Sequence, residues 1–468
     1  MSDNDAKATN DAQAANDAKA ARADHWKQIA VPWHRHFGGK METTPRCVVR
    51  GMDDFSVWYS PGVAEACMAI YEDPELVDEL TNRSNTVAVV SDGSRVLGLG
   101  DIGAKAGYPV MEGKALLYKY LGGVDSVPIM LQDQDPDQII RTVLNLQPSF
   151  GGINLEDISQ PKCFRVLDTL RREAEIPVWH DDQQGTATVT LAGLINALDI
   201  VGKRIEDVRI AFIGSGAANV ACARLIFARG ADPAQCTVND SRGILTTDRE
   251  DLRRNRNEYP EKWKLAERTN ADGRTGGIPE ALEGADVVIS LSRPGPGTIK
   301  PEWISRMGDK PIVFPEANPT PEIWPWEAQE AGAAVVATGR SDFPNQVNNS
   351  LCFPGIFRGA LDVRARTISD EMCFAAAEAI AARARRHPDY GAERIMPTME
   401  EWDLFGDIAA AVGVTAQEQG LTQHILTADA IRTGALKRIE RSRRMTQLLM
   451  DHGVIPPAPT EDAPGENR

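Results

Sequence analysis

Asp181 and Asp182 stand side by side in HDDQQGTA, between a short apolar run and an alanine-rich stretch with helical spacing. Adjacent carboxylates repel, and near a packed core both are poorly solvated. A second acidic pair, Glu156 and Asp157, closes another apolar run in FGGINLED. Four acids at two strand ends, without a cysteine pair or a clear histidine set, are hard oxygen donors that suit Mg2+ or Mn2+ and not zinc. A divalent cation would relieve the repulsion and could also take a carboxylate substrate. The competing reading is helix capping, because Asp182 and Asp157 each precede a helix pattern.

Three further stretches carry residues suited to chemistry. Lys114 follows a glycine in PVMEGKALLYKY. A lysine in an apolar setting can act as a base, while a solvated lysine is the plainer reading. Tyr59 precedes a Pro-Gly turn in VWYSPGVAEAC, where a packed aromatic is the plainer reading. GSGAAN, from Gly214 to Asn219, follows an apolar run and opens a helix pattern. Its glycines permit a tight turn and let the backbone approach a pyrophosphate at a helix N-terminus. Gly214, Gly216, Ala217 and Ala218 are the candidates for that contact, and Asn219 replaces the third glycine of the fingerprint. Asp240 ends the next strand and could bond a ribose hydroxyl, favouring NAD. Ser241 and Arg242 beside it could receive a 2′-phosphate, favouring NADP.

These residues need a frame. NTVAVVSDG, DSVPIMLQD, SFGGINLED and IPVWHDD each read as a short buried strand that meets acids or glycine at its C-terminal end. Helix patterns such as GKALLYKYLGG and DPDQIIRTVLNLQP lie between them. Such alternation predicts a parallel sheet with helices on its faces, and ligands bind beyond the carboxyl ends of its strands. Those ends carry Asp92, Asp133, Glu156–Asp157 and Asp181–Asp182. A helix with Ala187, Leu191, Leu194 and Leu198 on one face follows. A second α/β run then begins with the strand Val208–Ile213 and continues through strands in 236–240, 285–292, 311–319 and 333–339. From Ile368 the pattern is helical, with Ser369 and Thr398 as N-caps and Thr398 with Glu401 as a capping box. The fold class is therefore α/β: an N-terminal α/β domain for substrate and metal, a Rossmann-type dinucleotide-binding domain and C-terminal helices. The expected limits are a disordered tail over 1–24, the first domain over 25–185 and the Rossmann-type domain over 186–367. C-terminal helices packing on both domains follow over 368–452, with a loose tail over 453–468.

Composition narrows the function. The 468 residues carry a formal net charge of -16, which argues against a nucleic-acid partner. No run approaches the roughly 18 apolar residues of a membrane span. Seven scattered cysteines without a C-x-x-C pair point away from disulfides and toward a reducing, cytoplasmic setting. The first 24 residues have neither the apolar core of a signal peptide nor the acid-poor composition of a transit peptide.

Taken together, WYSPGVAEAC (58–67), VVSDGSRVLGLGDIG (89–103), PVMEGKALLYKYLGGVD (109–125), FGGINLEDI (150–158), HDDQQGTA (180–187), ANPTPEI (317–323) and GRSDFPNQVNNSLCFPGIFRGALDVRA (339–365) resemble the malic enzyme family over roughly residues 30–440. The resemblance implies oxidative decarboxylation of malate to pyruvate and CO2, with NAD or NADP and a Mg2+ or Mn2+ ion. By motif, Glu156, Asp157 and Asp182 look like the metal ligands, Lys114 like the base and Tyr59 like the acid that protonates enolpyruvate. Asp181 would orient Lys114 or support the metal shell. Arg95 looks like a substrate-carboxylate ligand. Asn318 and Asn349 look like substrate and nicotinamide contacts. The resemblance further implies a homodimer or higher homo-oligomer, in which Tyr59 and Lys114 serve the partner's site.

Three positions depart from the pattern of short bacterial members. Gln184 stands where many have histidine, Arg95 where many have an apolar residue, and Glu316 where an apolar residue is usual. An added acid near the cleft opens the alternative of another 2-hydroxy diacid or of malolactic-type chemistry. A non-catalytic metabolite sensor is the reading from another class. The presence of Lys114, Tyr59, Glu156, Asp157 and Asp182 weighs against it.

Overall fold

A computed structural model describes residues 25–459 except 341. The tail expected over 1–24, and 460–468 of the tail expected at the other end, lie outside the described residues. The described residues form two compact units, one joining 25–44 with 442–459 and the other running from Pro45 to Arg441. The described part of the first contains a helix over 25–37, and His36 Nε2 donates to the Pro457 carbonyl at 3.0 Å.

The larger unit is built on two sheets. The first is parallel, in the order β2-β1-β3-β4, from Thr86–Ser91 (β1), Asp125–Met130 (β2), Gly152–Leu155 (β3) and Val178–His180 (β4). All six residues of β1 are buried, as a strand covered on both faces requires. Helices Gly103–Gly122 (α1), Pro136–Leu146 (α2) and Lys162–Glu173 (α3) connect the strands. On α1 the buried positions include Gly107, Met111, Lys114, Ala115, Tyr118, Leu121 and Gly122. That is one helical face, and it carries a lysine.

The second sheet runs β10-β9-β8-β5-β6-β7, from Ile210–Ile213 (β5), Thr237–Asp240 (β6), Gly243–Ile244 (β7), Val287–Ser290 (β8), Ile312–Pro315 (β9) and Val335–Val336 (β10). Five strands fall inside the expected segments. β7 was not expected, and it is the antiparallel edge, paired with β6. The order changes direction at β5, which is where a doubly wound sheet opens its ligand crevice.

Helix Thr186–Val201 (α4) links the sheets, and twelve of its 16 residues are buried. It is apolar all round and not merely striped, because it packs against Ala217–Ala228 (α5), Asp370–Arg385 (α7) and Phe314 of β9. Helix Phe353–Asp362 (α6) returns to the first sheet. Phe353 stacks on Tyr118 at 4.7 Å, and Arg358 donates to Asn85 Oδ1 at 2.5 Å. Ser369 caps α7 through Met372 N–H at 3.1 Å, as expected. Thr398 does not cap a helix. Its N–H bonds Glu401 at 3.1 Å within a turn, and Leu404–Glu418 (α8) begins after Asp403.

Helices α6 and α8 approach closely through glycine. A Cβ on Gly359 would collide with the Ala409 carbonyl and lie 3.0 Å from its Cα. In an open helix Gly→Ala gains up to about 1 kcal/mol. Here Gly359→Ala is expected to lower the urea midpoint, by the equivalent of about 1–3 kcal/mol for an overpacked core. A raised midpoint would contradict the close approach.

Candidate active site

The register of the first sheet brings the acids together. Leu155 pairs with His180 across β3 and β4, so Glu156 and Asp181 leave the sheet side by side. Asp181–Gly185 then forms one π-helical turn before α4, with Thr186 N–H donating to the Asp181 carbonyl. A π turn rotates successive side chains differently from an α turn. Asp181 faces inward and is fully buried, whereas Asp182 keeps a side-chain exposure of 35%. Gly185 is required, because any Cβ there would overlap the Asp181 carboxylate.

Asp181 is fully engaged. Trp179 Nε1 donates to its Oδ1 at 3.1 Å, and both Lys114 Nζ and Asn349 Nδ2 donate to its Oδ2. Lys114 also lies 3.0 Å from Glu156 Oε1 and 4.2 Å from the centre of the Phe353 ring. Burial pulls the Lys114 ammonium down, but Asp181 and Glu156 more than offset this and hold it above the ordinary lysine range. Glu156 Oε2 accepts from Asn154 Nδ2 at 2.8 Å, and Asn154 is itself fixed by the Tyr118 hydroxyl at 2.8 Å.

Glu156, Asp157 and Asp182 present carboxylate oxygens that all lie within 4.8 Å of one another. Asp157 sits at φ 54, a conformation uncommon outside glycine. It is held there by Arg95 N–H to its carbonyl at 3.0 Å and by its own N–H to Asp182 Oδ2 at 2.8 Å. Asp157 Oδ2 is buried with no hydrogen-bond partner. Burial, then the Asp182 carboxylate, pushes Asp157 up to about 8, and burial drives Glu156 well above its usual range despite Lys114. Three hard donors that disfavour one another's charge, with one orphaned oxygen among them, fit Mg2+ or Mn2+. The capping alternative fails: neither α3 nor α4 has a side-chain cap.

The other acids at the strand ends do not join. Asp92 pairs with Lys162 at 2.5 Å and accepts from Ser94 N–H at 3.0 Å, while Asp133 accepts from Asp135 N–H in an exposed turn. Lys114 meets the acids of its own chain, so the expectation that it serves a partner's site is corrected. Tyr59 is not a packed aromatic either. It is 74% exposed, and among the described residues no hydrogen bond joins it to the cluster. Arg95 is exposed, and its charge acts on Asp182. Asn318 is exposed after β9 and touches Gly98 in the loop beyond β1, where a Cβ would lie 3.2 Å from the Asn318 carbonyl.

Gln184 acquires a physical account. Its Oε1 accepts the His180 N–H at 3.1 Å, which ties the end of β4 to the π turn. Glu316 is buried against Thr190 and so does not face the open cleft as an extra acid. The sequence reading missed Asn154 and Trp179. Both stand two residues before an acid, at Glu156 and Asp181, and strand periodicity places such pairs on one side.

At the second sheet Gly214 has φ 103, and a Cβ there would lie 2.6 Å from the Leu291 carbonyl. Gly216 faces open space, and no side chain caps α5, so the N–H groups around Ala217 and Ala218 are available to an anion. Asn219, in place of the third glycine, donates at 2.9 Å to both the Ile213 and Gly214 carbonyls and pins the turn. Asp240 is not a free acceptor. Arg249 grips both its oxygens at 2.8 and 3.0 Å, and Lys262 Nζ lies 3.5 Å away. Arg242 pairs with Asp251 at 3.2 Å, and Ser241 is exposed. Arg249 also escaped the sequence reading, since nothing in its spacing marks it.

Asp182→Ala should weaken Mn2+ binding by more than the roughly 10–100-fold that loss of an outer supporting group costs. Calorimetric titration of the folded protein measures this, and an unchanged affinity would show that another acid supplies the third ligand.

Comparison with known proteins follows the same division of the chain. The family model for the malic enzyme N-terminal domain matches residues 38–171, and that for the malic enzyme NAD binding domain matches 183–419. The chain is 51% identical over 349 residues to an NAD-dependent malic enzyme of Geobacillus stearothermophilus, covering 74% of this chain and 70% of that one. It is 44% identical over 421 residues to a bifunctional malic/malolactic enzyme of Bacillus subtilis, covering 90% and 98%. The crystal structure of a malic enzyme from Entamoeba histolytica superposes with a TM-score of 0.89 at 47% identity, covering 95% of this chain and 91% of that one. Both sheets are thus accounted for by one family, and the resemblance drawn from the motifs holds across the chain. The chain belongs to the malic enzyme family, and it is an oxidoreductase that uses NAD or NADP.

Proposed function

We propose that the protein oxidises and decarboxylates (S)-malate to pyruvate and CO2, reducing NAD or NADP, with Mg2+ or Mn2+. The carrying observation is the buried Lys114, paired with Asp181 and with Glu156, beside the three convergent carboxylates of Glu156, Asp157 and Asp182 at the carboxyl edge of a parallel sheet. Glu156, Asp157 and Asp182 would hold the divalent ion, which would supply Lewis acidity. Lys114 Nζ takes the hydroxyl proton as hydride leaves C2. Two carboxylates now hold its proton in place. With Glu156 engaged as a ligand, one of those countercharges would be withdrawn and the neutral amine would become accessible. Asp181, fixed by Trp179 and Asn349, aims the amine. Arg95, Asn318 and Asn349 take the substrate carboxylates and the nicotinamide. Gly214, Gly216 and the start of α5 receive the pyrophosphate.

Tyr59, as the acid, needs a second copy of the chain. It lies in a stretch whose two helices, Asp54–Trp58 and Val63–Glu72, bury no residue, with Met52 80%, Val57 60% and Tyr71 81% exposed. An apolar surface of this extent supports association, and a homodimer or larger homo-oligomer is part of the proposal. Sedimentation at micromolar concentration should show at least two chains, and a monomer would remove Tyr59 from the mechanism. Seven free cysteines suit the cytoplasm. Malolactic chemistry is the second reading, favoured by the similarity to the Bacillus subtilis enzyme.

Initial rates with malate, Mn2+ and either dinucleotide should give NAD(P)H and pyruvate. Lactate without released NADH would establish the second reading, and turnover of only another hydroxy diacid would overturn both. Lys114→Ala should lower kcat by about 100-fold or more while Mn2+ still binds. The substitution strands two buried carboxylates at a cost of about 3–5 kcal/mol, so retained metal binding is the proof of folding. An active variant would reject Lys114 as the base.

A further inference from the structure

Two glutamates are buried in the cofactor half, apart from the acidic cluster: Glu316, 3% exposed, and Glu322, fully buried. They flank the segment that carries Asn318, and their surroundings differ. Glu322 accepts four hydrogen bonds, from the Ser290 hydroxyl at 2.6 Å, the Ser292 N–H at 2.8 Å, the Ser292 hydroxyl at 2.9 Å and the Ala317 N–H at 3.1 Å. Ser290 ends β8 and Ala317 follows β9, so one carboxylate ties two neighbouring strand ends.

Glu316 has a single partner, the Thr190 hydroxyl of α4, which donates to Oε2 at 2.8 Å. Its Oε1 is buried and unpartnered. The groups facing Glu316 are Thr190 from α4, Cys222 from α5 and Glu322 from beyond β9, and none is a cation. An ionised Glu316 would be a buried charge with one donor and no counterion, beside a second acid. Burial, with Glu322 adding to it, moves Glu316 up to about 8.

The segment that these acids bracket lies where the halves meet. A Cβ on Gly98 would lie 3.2 Å from the Asn318 carbonyl and 3.3 Å from Pro319 Cδ. Leu97, next to Gly98, donates its N–H to Asp157 Oδ1 at 3.4 Å. A Cβ on Gly339 would lie 2.9 Å from Asn318 Nδ2 and 3.0 Å from the Glu316 carbonyl. Gly98 thus approaches the Asn318 backbone and Gly339 approaches its side chain, and Glu316 links the segment to α4.

We infer that Glu316 is a positioning residue, held as the neutral acid between α4 and β9, which with Glu322 sets Asn318 against the loop at Gly98; this rests on the reading of Asn318 as a substrate and nicotinamide contact. The neutral form keeps the bond to Thr190 without a buried charge. The folded chain retains a proton that the unfolded chain loses in the ordinary carboxylate range. The stabilisation is therefore whole below that range and is lost as pH rises toward about 8.

The experiment compares wild type with Glu316→Gln, Glu316→Leu, Asn318→Ala and the Leu–Ala double variant. The measurements are kcat and KM for malate from pH 6 to 9.5, alongside thermal unfolding. Glu316→Gln, neutral at every pH, should keep kcat/KM within about twofold at pH 7 and, with unfolding followed from pH 5, lose less thermal stability than the wild type up to pH 8, the remaining loss coming from Glu156 and Asp157. Glu316→Leu, which cannot bond Thr190, should raise KM and lower kcat/KM about tenfold. The double variant should lose little beyond Asn318→Ala, since coupled residues are not additive. A kinetically silent Glu316→Leu beside an impaired Asn318→Ala would remove the positioning role. A silent Asn318→Ala would instead overturn the reading of Asn318 itself. A Glu316→Gln protein whose stability falls with pH as the wild type does would show that Glu316 is not held neutral.

Discussion

Too much negative charge converges on one edge of the first sheet, and a single ammonium answers it. Glu156, Asp157, Asp181 and Asp182 leave two adjacent strand ends, and Lys114 reaches only Glu156 and Asp181. Burying an unpaired charge costs several kcal/mol. Lys114 therefore spends most of its attraction on Asp181, the acid with no exposure, and shares the remainder with Glu156. Asp157 and Asp182 are left without a paired cation, Lys114 and Arg95 acting on Asp182 only at a distance, and the deficit is localised at the point where three oxygens converge. Much of the local architecture serves this division of charge. α1 must carry a lysine on its buried face, Phe353 must offer its ring, and the chain beyond β4 must widen into a π turn so that Asp181 and Asp182 part company.

The two sheets meet their ligands by the same geometric rule. Each has its first strand inside the sheet with later strands on both sides, which opens a crevice at the carboxyl ends. In the first the crevice is lined with acids and suits a cation with its carboxylate ligand. In the second it is lined with free N–H groups and glycine and suits a pyrophosphate. The chain crosses between the sheets along α4 and returns with α6, so the segment around Asn349 and Phe353 completes a site begun more than two hundred residues earlier.

The strands of both sheets and the acids at their ends were legible because burial and strand period leave a local trace. The apolar setting of Lys114 was legible too, but its burial on one face of α1 with Met111, Ala115 and Tyr118 emerged only from the structure. What escaped depends on contacts between distant residues. Asp240 looked like a free ribose acceptor until Arg249 was found across both its oxygens. Thr398 and Glu401 had the spacing of a capping box, but the bond closes a turn because the helix starts only at Leu404. Tyr59 reads as an ordinary packed aromatic, whereas in the structure it is 74% exposed, which no local spacing announces. Gln184 and Glu316 looked like isolated departures from a family pattern. In the structure each accepts a hydrogen bond from a neighbouring element, a role no alignment column announces.

The π turn runs into α4 without a break, so Asp182 and Thr190 belong to one continuous length of backbone. At helical rise they are about 12 Å apart. One end of this rod bears a carboxylate of the acidic cluster, and the other holds Glu316 at the end of β9. Nearly every face of the rod is packed, which leaves it little freedom to bend. A tilt that opened the dinucleotide crevice would therefore swing Asp182 as well. The helix then works as a gear shaft: the acidic cluster and the end of β9 are each positioned by how the other end is seated.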